Sequence, residues 1–579
     1  MTRSQAPPSR TAFERGPALA QMCSERFDVL VVGGGITGAG VALDAAARGL
    51  RTALVERRDF GSGTSSQSSK LIHGGLRYLQ QRDFRLVYEA LAERQRLLAN
   101  APHLVRPLPF LIPLFAKVGV VNDRVARAYS TALWLYDATG GLRIGERHQR
   151  VDRAQAGADV PALDVTDLVA GFRYWDAWAD DARLTLTVLR TAVLDHGAVA
   201  ANHAPVVSLL TDPAGRVAGA CLEDGTEVRA AAVVNAAGVW SDDVRSLDEG
   251  APLAGALRPA KGVHLTFRAA RLAARSAAVL PVPGDHRTVF VVPWGDRTYV
   301  GTTDTDYDGP LDEPRCNPDD VDYVLRAVNR WVRAPLDADD IVGMWAGLRP
   351  LVRSAGRART ADLSRRHRVT VSANGLVSVT GGKLTTYRRM AADTVDEVVR
   401  LLGRGARRSP TRRLALRGAA GTGALRAPGA AGRLGIDTAC LEHLVSRFGR
   451  EARTVVAMID ADPELGRPLV PGLPYLQAEA LYSARYEMAA TLDDVLARRT
   501  RALLLDASAS AAAADGVARV VAPELGWSPA RCDAEARAFR DAVEHTWRSA
   551  GLRWAPPAAA PSHGAGAGAG AGTGATTGW

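Results

Sequence analysis

The chain has 579 residues and a formal net charge of +10, from 72 Lys and Arg against 62 Asp and Glu. Hydrophobic residues make up 47% and charged residues 23%, an ordinary globular mixture long enough for roughly three domains of about 150 residues. No run of about 18 uncharged apolar residues occurs, which argues against a spanning helix, and five scattered cysteines without a CxxC pair fit a reducing cytoplasm and no structural zinc.

Residues 1–26 lack an apolar core long enough for a secretory signal and read as a flexible lead. Phe27 to Val32 is a short apolar, β-branched run that ends at glycine, as expected of a strand buried in a parallel sheet. A small-residue helix from about Ile36 to Arg48 and a strand from Thr52 to Glu56 complete a βαβ unit. Residues 83–100 carry apolar side chains at helical spacing. Residues 107–140 mix prolines, aromatics and basic groups and are assigned to a helical cap over 107–165. Further on come a helix at Leu184–His196, a strand at Val228–Ala236, a hairpin of Thr288–Pro293 with Thr298–Thr302, and a strand at Leu376–Thr380 leading into a helix near Thr385.

Arg400, Arg404, Arg407, Arg408, Arg412, Arg413 and Arg417 lie in one stretch with no intervening acid. This stretch, 401–417, is either a solvated basic linker or a surface drawn to anionic lipid at about 1 kcal/mol per charge. No aromatics interleave with it, so nucleic acid is not expected as a partner. Residues 418–554 read as a helical domain and 555–579 as a disordered Gly/Ala tail with no assigned function.

The central motif is Gly33-Gly34-Gly35-Ile36-Thr37-Gly38, a GxGxxG through Gly33, Gly35 and Gly38. Its glycines allow a tight turn, close approach of a pyrophosphate, and close packing of helix on strand. The pyrophosphate would sit on the helix N-terminus around Ile36 and Thr37. Glu56 closes the next strand, placed to accept hydrogen bonds from a ribose diol. The fingerprint does not by itself distinguish NAD from FAD. Two later turns favour FAD. Asn235-Ala236-Ala237-Gly238 can flank the dinucleotide. Gly381-Gly382-Lys383 can set backbone N–H groups and a helix N-terminus beside the flavin pyrimidine.

Two longer strings carry a family resemblance. Thr64-Ser65-Ser66-Gln67-Ser68-Ser69-Lys70-Leu71-Ile72-His73-Gly74-Gly75-Leu76-Arg77-Tyr78-Leu79 resembles the signature of FAD-dependent glycerol-3-phosphate dehydrogenases, as does Gly381-Gly382-Lys383-Leu384-Thr385-Thr386-Tyr387-Arg388. Supporting segments are Gly301-Thr302-Thr303-Asp304, Gly347-Leu348-Arg349-Pro350-Leu351, and Asp493 to Thr500 near the end. The resemblance implies an α/β protein. Its FAD-binding, glutathione-reductase-like Rossmann domain would be assembled from 27–106, 166–256 and 373–400. An antiparallel-sheet substrate domain (257–372) and a helical C-terminal domain would complete it.

The resemblance also implies the chemistry: hydride transfer from C2 of sn-glycerol 3-phosphate to flavin N5, giving dihydroxyacetone phosphate, with electrons passed on to a membrane quinone. Arg77, Arg349, Arg365 and Lys383 become candidate phosphate and polar-group binders, with Tyr78 and His264 lining the substrate pocket. His264, Arg349 and Lys383 are the candidate catalytic groups. A histidine suits the alcohol proton, but which group takes it stays open. Thr64, Ser65, Ser66, Ser69, Lys70, Leu71, His73, Gly74, Ala237, Gly238, Gly382, Lys383, Leu384 and Thr385 join the fingerprint as cofactor-binding candidates. Quinone chemistry implies peripheral contact with the inner face of the cell membrane, through the 107–136 segment or the arginine linker. A homodimer is compatible. Two other readings remain: an oxidase that uses oxygen, and a flavin-binding sensor that does not catalyse.

Overall fold

The computed structural model describes residues 13–75, 84–116, 123–138, 144–250, 257–285, 287–352, 367–405 and 408–555. Two large sheets organise them. The first runs Arg368–Val371, Val377–Thr380, Glu227–Asn235, Phe27–Val32, Thr52–Val55, Val199–Ala201, with a hairpin of Val206–Thr211 and Val217–Leu222 joined to its third strand. Its four inner pairings are parallel. All six residues of Phe27–Val32 are buried, which explains a strand without alternation: both of its faces are covered. Helix Ile36–Ala47 fills one face, wedged against helices Asp181–Leu194 and Tyr387–Leu401.

The second sheet has ten strands and is mostly antiparallel. Its spine is the long pair Leu257–Arg268 with Ile341–Val352. The expected hairpin is there, as Thr288–Trp294 with Arg297–Gly301. Of the C-terminal helices, Ala502–Leu505 and Ala507–Leu525 pack against this sheet, while those from Thr422–Arg426 to Gln477–Tyr486 share a hydrophobic core of their own.

Four expectations need correction. The segment given to a helical cap opens with an eleven-residue strand, Val105–Phe115, paired over its length with Leu168–Ala179. Pro107, Pro109 and Pro113 share one parity, so their missing N–H groups all face one edge and the ladder on the other edge survives. Helices Asp123–Ala138 and Arg153–Asp159 follow and pack against the strand Leu168–Ala179. Leu168–Ala179, placed in the cofactor part, belongs to the second sheet. The lead is ordered from Phe13. Helix Arg15–Ser24 buries Ala18 and Met22, four apart on one face, and Arg15 donates to the carbonyls of Asn202 and His203.

The fourth correction concerns the basic linker, which is not merely solvated. Arg400 pairs with Glu397, Arg404 with Asp28, and Arg417 with both Asp195 and Glu451, while Arg407 lies outside the described residues. Those acids lie on other elements or a turn away on a helix, so the absence of acid within the stretch hid them.

The joint between the cofactor region and the C-terminal helices is built of buried charge. Arg499 grips Asp59 with both guanidinium nitrogens, at 2.6 and 2.7 Å, and Arg498 adds a third contact at 2.6 Å. Arg183 pairs with Glu487, and Arg190 and Arg417 share Glu451. Glu479 takes His443 at 2.7 Å and Arg447 at 2.8 Å. Burial would raise Glu451 and Glu479, but their ion-pair partners outweigh it and hold each at about 2.

A folded-state value of about 2 lies below the ordinary 4.5. The stabilisation is therefore complete above about pH 4.5 and is lost as pH falls toward 2. Melting temperature should drop steeply across that window. Glu451→Gln and Glu479→Gln should lower it at pH 7 and flatten the slope, as followed by circular dichroism at stepped pH.

Candidate active site

A cavity of about 560 Å³ opens where the two sheets meet. Gly33, Gly35, Ile36, Thr37 and Glu56 form one end, and Ala237 and Gly238 flank it. Thr64, Ser65, Ser69, Leu71 and His73 also line it, together with Gly382, Lys383, Leu384, Thr385 and Arg349. Residues from six separate stretches of the chain thus meet at one void.

The glycines act by subtraction. A Cβ on Gly33, whose φ is +110°, would lie 2.7 Å from the carbonyl oxygen of Ala236. A Cβ on Gly38 would lie 1.9 Å from the carbonyl oxygen of Gly33. Gly38 therefore does not line the cavity; it lets the helix start close beneath the turn. Glu56 accepts hydrogen bonds from the N–H of Gly34 at 2.6 Å and of Arg58 at 2.9 Å. Burial raises its proton affinity while those bonds oppose it. Ser65 Oγ accepts the N–H of Ile36 at 2.9 Å, tying the serine loop to the helix start. Such a turn, helix N-terminus and acid fit the pyrophosphate and ribose of a dinucleotide.

Arg349 enters from strand Ile341–Val352. Its guanidinium donates to Asp304 at 3.0 Å, to Thr302 Oγ1 at 3.1 Å and to the Thr303 carbonyl at 3.1 Å. Gly262 makes the room, since a Cβ there would lie 2.6 Å from the guanidinium. Lys383 follows strand Val377–Thr380 and begins a short helical turn, after two glycines with φ of +74° and +85°. Those glycines adopt a conformation that few other residues tolerate.

Other candidates sit elsewhere. Ser66, Lys70 and Gly74 lie behind the wall, not on it. The Lys70 side chain is fully buried, 3.5 Å from Asp181 and over the Trp345 ring at 4.1 Å. Burial pulls its ammonium down to about 7 although Asp181 favours the charge. Gly74 donates its N–H to Tyr136 and Asp176. Arg77, Tyr78 and Arg365 lie outside the described residues.

His264, expected to line the substrate pocket, is buried one layer back. It stacks on Trp345 with ring centroids 4.7 Å apart, and its Nε2 lies 2.8 Å from Ser69 Oγ. Only Ser69 of this pair reaches the cavity. Burial, then the charges of Lys70 and Arg349, drive its pKa well below the ordinary value, so the ring is neutral at neutral pH. A central position in a strand paired on both sides explains the burial.

Sequence reasoning missed Arg57 and Trp240, which close the end beyond Glu56 with the guanidinium 4.6 Å from the indole ring centre. It also missed Ser68 and Thr302. Arg57 directly follows the strand-end acid and Trp240 the second glycine turn, so position beside a known motif was the available signal. No cluster of three or more metal-binding side chains occurs among the described residues.

The fold and this cavity define a two-sheet flavoprotein, and comparison agrees. Residues 28–388 match the family model for FAD dependent oxidoreductases, and residues 409–532 match that for the C-terminal domain of alpha-glycerophosphate oxidase. The chain is 42% identical over 541 residues to glycerol-3-phosphate dehydrogenase 2 of Mycobacterium tuberculosis, spanning 92% of this chain and 90% of that protein. It is 37% identical over 555 residues to the mitochondrial glycerol-3-phosphate dehydrogenase of Rattus norvegicus, spanning 91% and 74%. The X-ray structure of the Bacillus halodurans glycerol-3-phosphate dehydrogenase complexed with FAD is similar with a TM-score of 0.74 at 32% identity, over 93% of this chain and 98% of that one. The chain belongs to the family of FAD-dependent glycerol-3-phosphate dehydrogenases, and FAD is its cofactor.

Replacing Gly38 or Gly33 with Ala should abolish FAD retention, because the added methyl meets backbone that cannot yield. The check is the ratio of visible to protein absorbance after gel filtration.

Proposed function

We propose that the chain oxidises sn-glycerol 3-phosphate at C2 to dihydroxyacetone phosphate, and that the electrons go on to a membrane quinone. The observation that carries this reading is that two cationic side chains far apart in sequence, Arg349 and Lys383, line one cavity with the dinucleotide-binding turns. Flavin binding alone does not require a cationic pair there; a phosphate ester does. Gly33, Gly35, Ile36, Thr37, Glu56, Ala237 and Gly238 would hold the dinucleotide. Gly382, Leu384 and Thr385 would sit by its ring end. When bound, the flavin supplies a hydride acceptor at N5.

The chain's own residues do the rest. Arg349, held by Asp304 and Thr302, would bring its positive charge to the substrate's oxygens. Lys383, lining the same cavity, adds a second positive charge. The alcohol proton leaves as C2 gives up its hydride, and the neutral imidazole of His264 stands one hydroxyl behind the cavity, at Ser69.

No helix among the described residues is long and apolar enough to cross a membrane. Contact with the inner face of the cell membrane would be peripheral. Helix Asp123–Ala138 exposes Trp134 and Leu135, at 57% and 40%, whereas several linker arginines are already paired within the chain. That favours the helix as the attachment surface. Electron transfer to oxygen instead is the competing reading, since two-sheet flavoproteins named as oxidases share the fold.

Anaerobic addition of glycerol 3-phosphate should bleach the flavin. Arg349→Ala and Lys383→Ala should each raise the concentration for half bleaching by about tenfold or more, as for loss of a charge-assisted hydrogen bond. Titrations like wild type in both would remove them from the site. Quinone or dye reduction should exceed peroxide release in air; the reverse result would make the protein an oxidase.

A further inference from the structure

The serine loop that lines the cavity is held from behind by a residue of the C-terminal region. Arg501 is fully buried and sits at a φ of +69°, a conformation seldom taken by a side-chain-bearing residue. Its guanidinium donates to the carbonyl of Ser66 and, at 3.1 Å, to Asp181 Oδ1, and a further bond at 2.9 Å goes to its own segment at Ala497. Asp181 passes the tie on. Its second oxygen accepts the N–H of Ser68 at 2.9 Å and the Ser68 hydroxyl at 2.7 Å. The Ser68 carbonyl in turn receives the indole N–H of Trp345 at 3.2 Å, and Trp345 is the ring on which His264 stacks. Ser69, next along, meets His264 and gives its carbonyl to Tyr299 at 2.8 Å.

Buried arginines are costly, and well-packed apolar groups often serve stability as well. This one places a forked donor between a loop carbonyl and a carboxylate that bonds the same loop. Lys70 also faces Asp181, but burial depresses its ammonium to about 7, so at neutral pH it is a partial counter-charge only.

We propose that Arg501 is a positioning residue for substrate oxidation: with Asp181 it fixes the Ser66–Ser69 loop so that Ser69 and His264 meet at the cavity wall. The proposal rests on the function given above. It acts through place, not contact, for Arg501 touches neither the cavity nor His264.

The test uses the FAD-loaded enzyme with Arg501→Lys and Asp181→Asn, singly and together, beside Arg485→Lys as a control in an ion pair with Glu524 remote from the loop. Arg501→Lys keeps the charge but loses the fork. Stopped-flow bleaching by glycerol 3-phosphate should show a limiting rate at least about tenfold lower, with the half-saturating concentration within about twofold of wild type. The double variant should be no slower than the slower single, since both act through one tie. Hydrogen–deuterium exchange should quicken in peptides covering 64–71 and stay unchanged in the control. A wild-type limiting rate in Arg501→Lys, or losses that multiply in the double variant, would overturn the proposal. If glycerol 3-phosphate fails to bleach the wild type, the functional reading falls. Exchange over 64–71 then still decides the positioning claim, and unchanged protection in both single variants refutes it.

Discussion

Two buried carboxylates beside the cavity, Asp59 and Asp181, are met by arginines from the C-terminal helical region. Asp59 lies three residues past Glu56 and five before Thr64, between two walls of the cavity, and its side chain is wholly buried. Left unpaired, such a charge would cost several kcal/mol. Arg498 and Arg499 satisfy it from about 440 residues away, and Arg501 does the same for Asp181. The helical region therefore braces the cavity wall from behind, though none of its described residues lines the void.

With the wall fixed, the cavity divides its labour by chemistry. One end is made of missing side chains, where glycines let backbone N–H groups and a helix start approach an anion. Arg349 and Lys383 bring positive charge to the same void. The serine loop offers hydroxyls, and behind it a neutral histidine is kept uncharged by burial and by neighbouring cations. A neutral imidazole can accept a proton; an imidazolium cannot. The cations beside His264 thus also help to keep its imidazole unprotonated.

The sequence made local things legible. The first strand, the glycine fingerprint, the acid closing the second strand and the hairpin around Gly295 all obey rules that act within a few residues. What it concealed was long-range. Three prolines disguised strand Val105–Phe115, because their shared parity matters only once the partner strand is known. The arginine stretch looked unpaired because Asp28, Asp195 and Glu451 come from elsewhere in the chain. His264 was named as a site residue from a string, but its place one layer behind Ser69 follows from strand pairing on both sides. Lys70 sits in the same signature string as residues that line the cavity, yet its backbone, at a φ of +58°, turns the side chain into the core.

The central claim is that a phosphorylated alcohol held in this cavity gives its C2 hydrogen to the flavin. The most direct measurement is stopped-flow bleaching with glycerol 3-phosphate deuterated at C2. The account predicts a limiting rate several-fold slower with the deuterated substrate. Bleaching that proceeds at the same rate with both isotopologues in a step shown to be rate-limiting chemistry, or deuterium that remains on the recovered product, would contradict it.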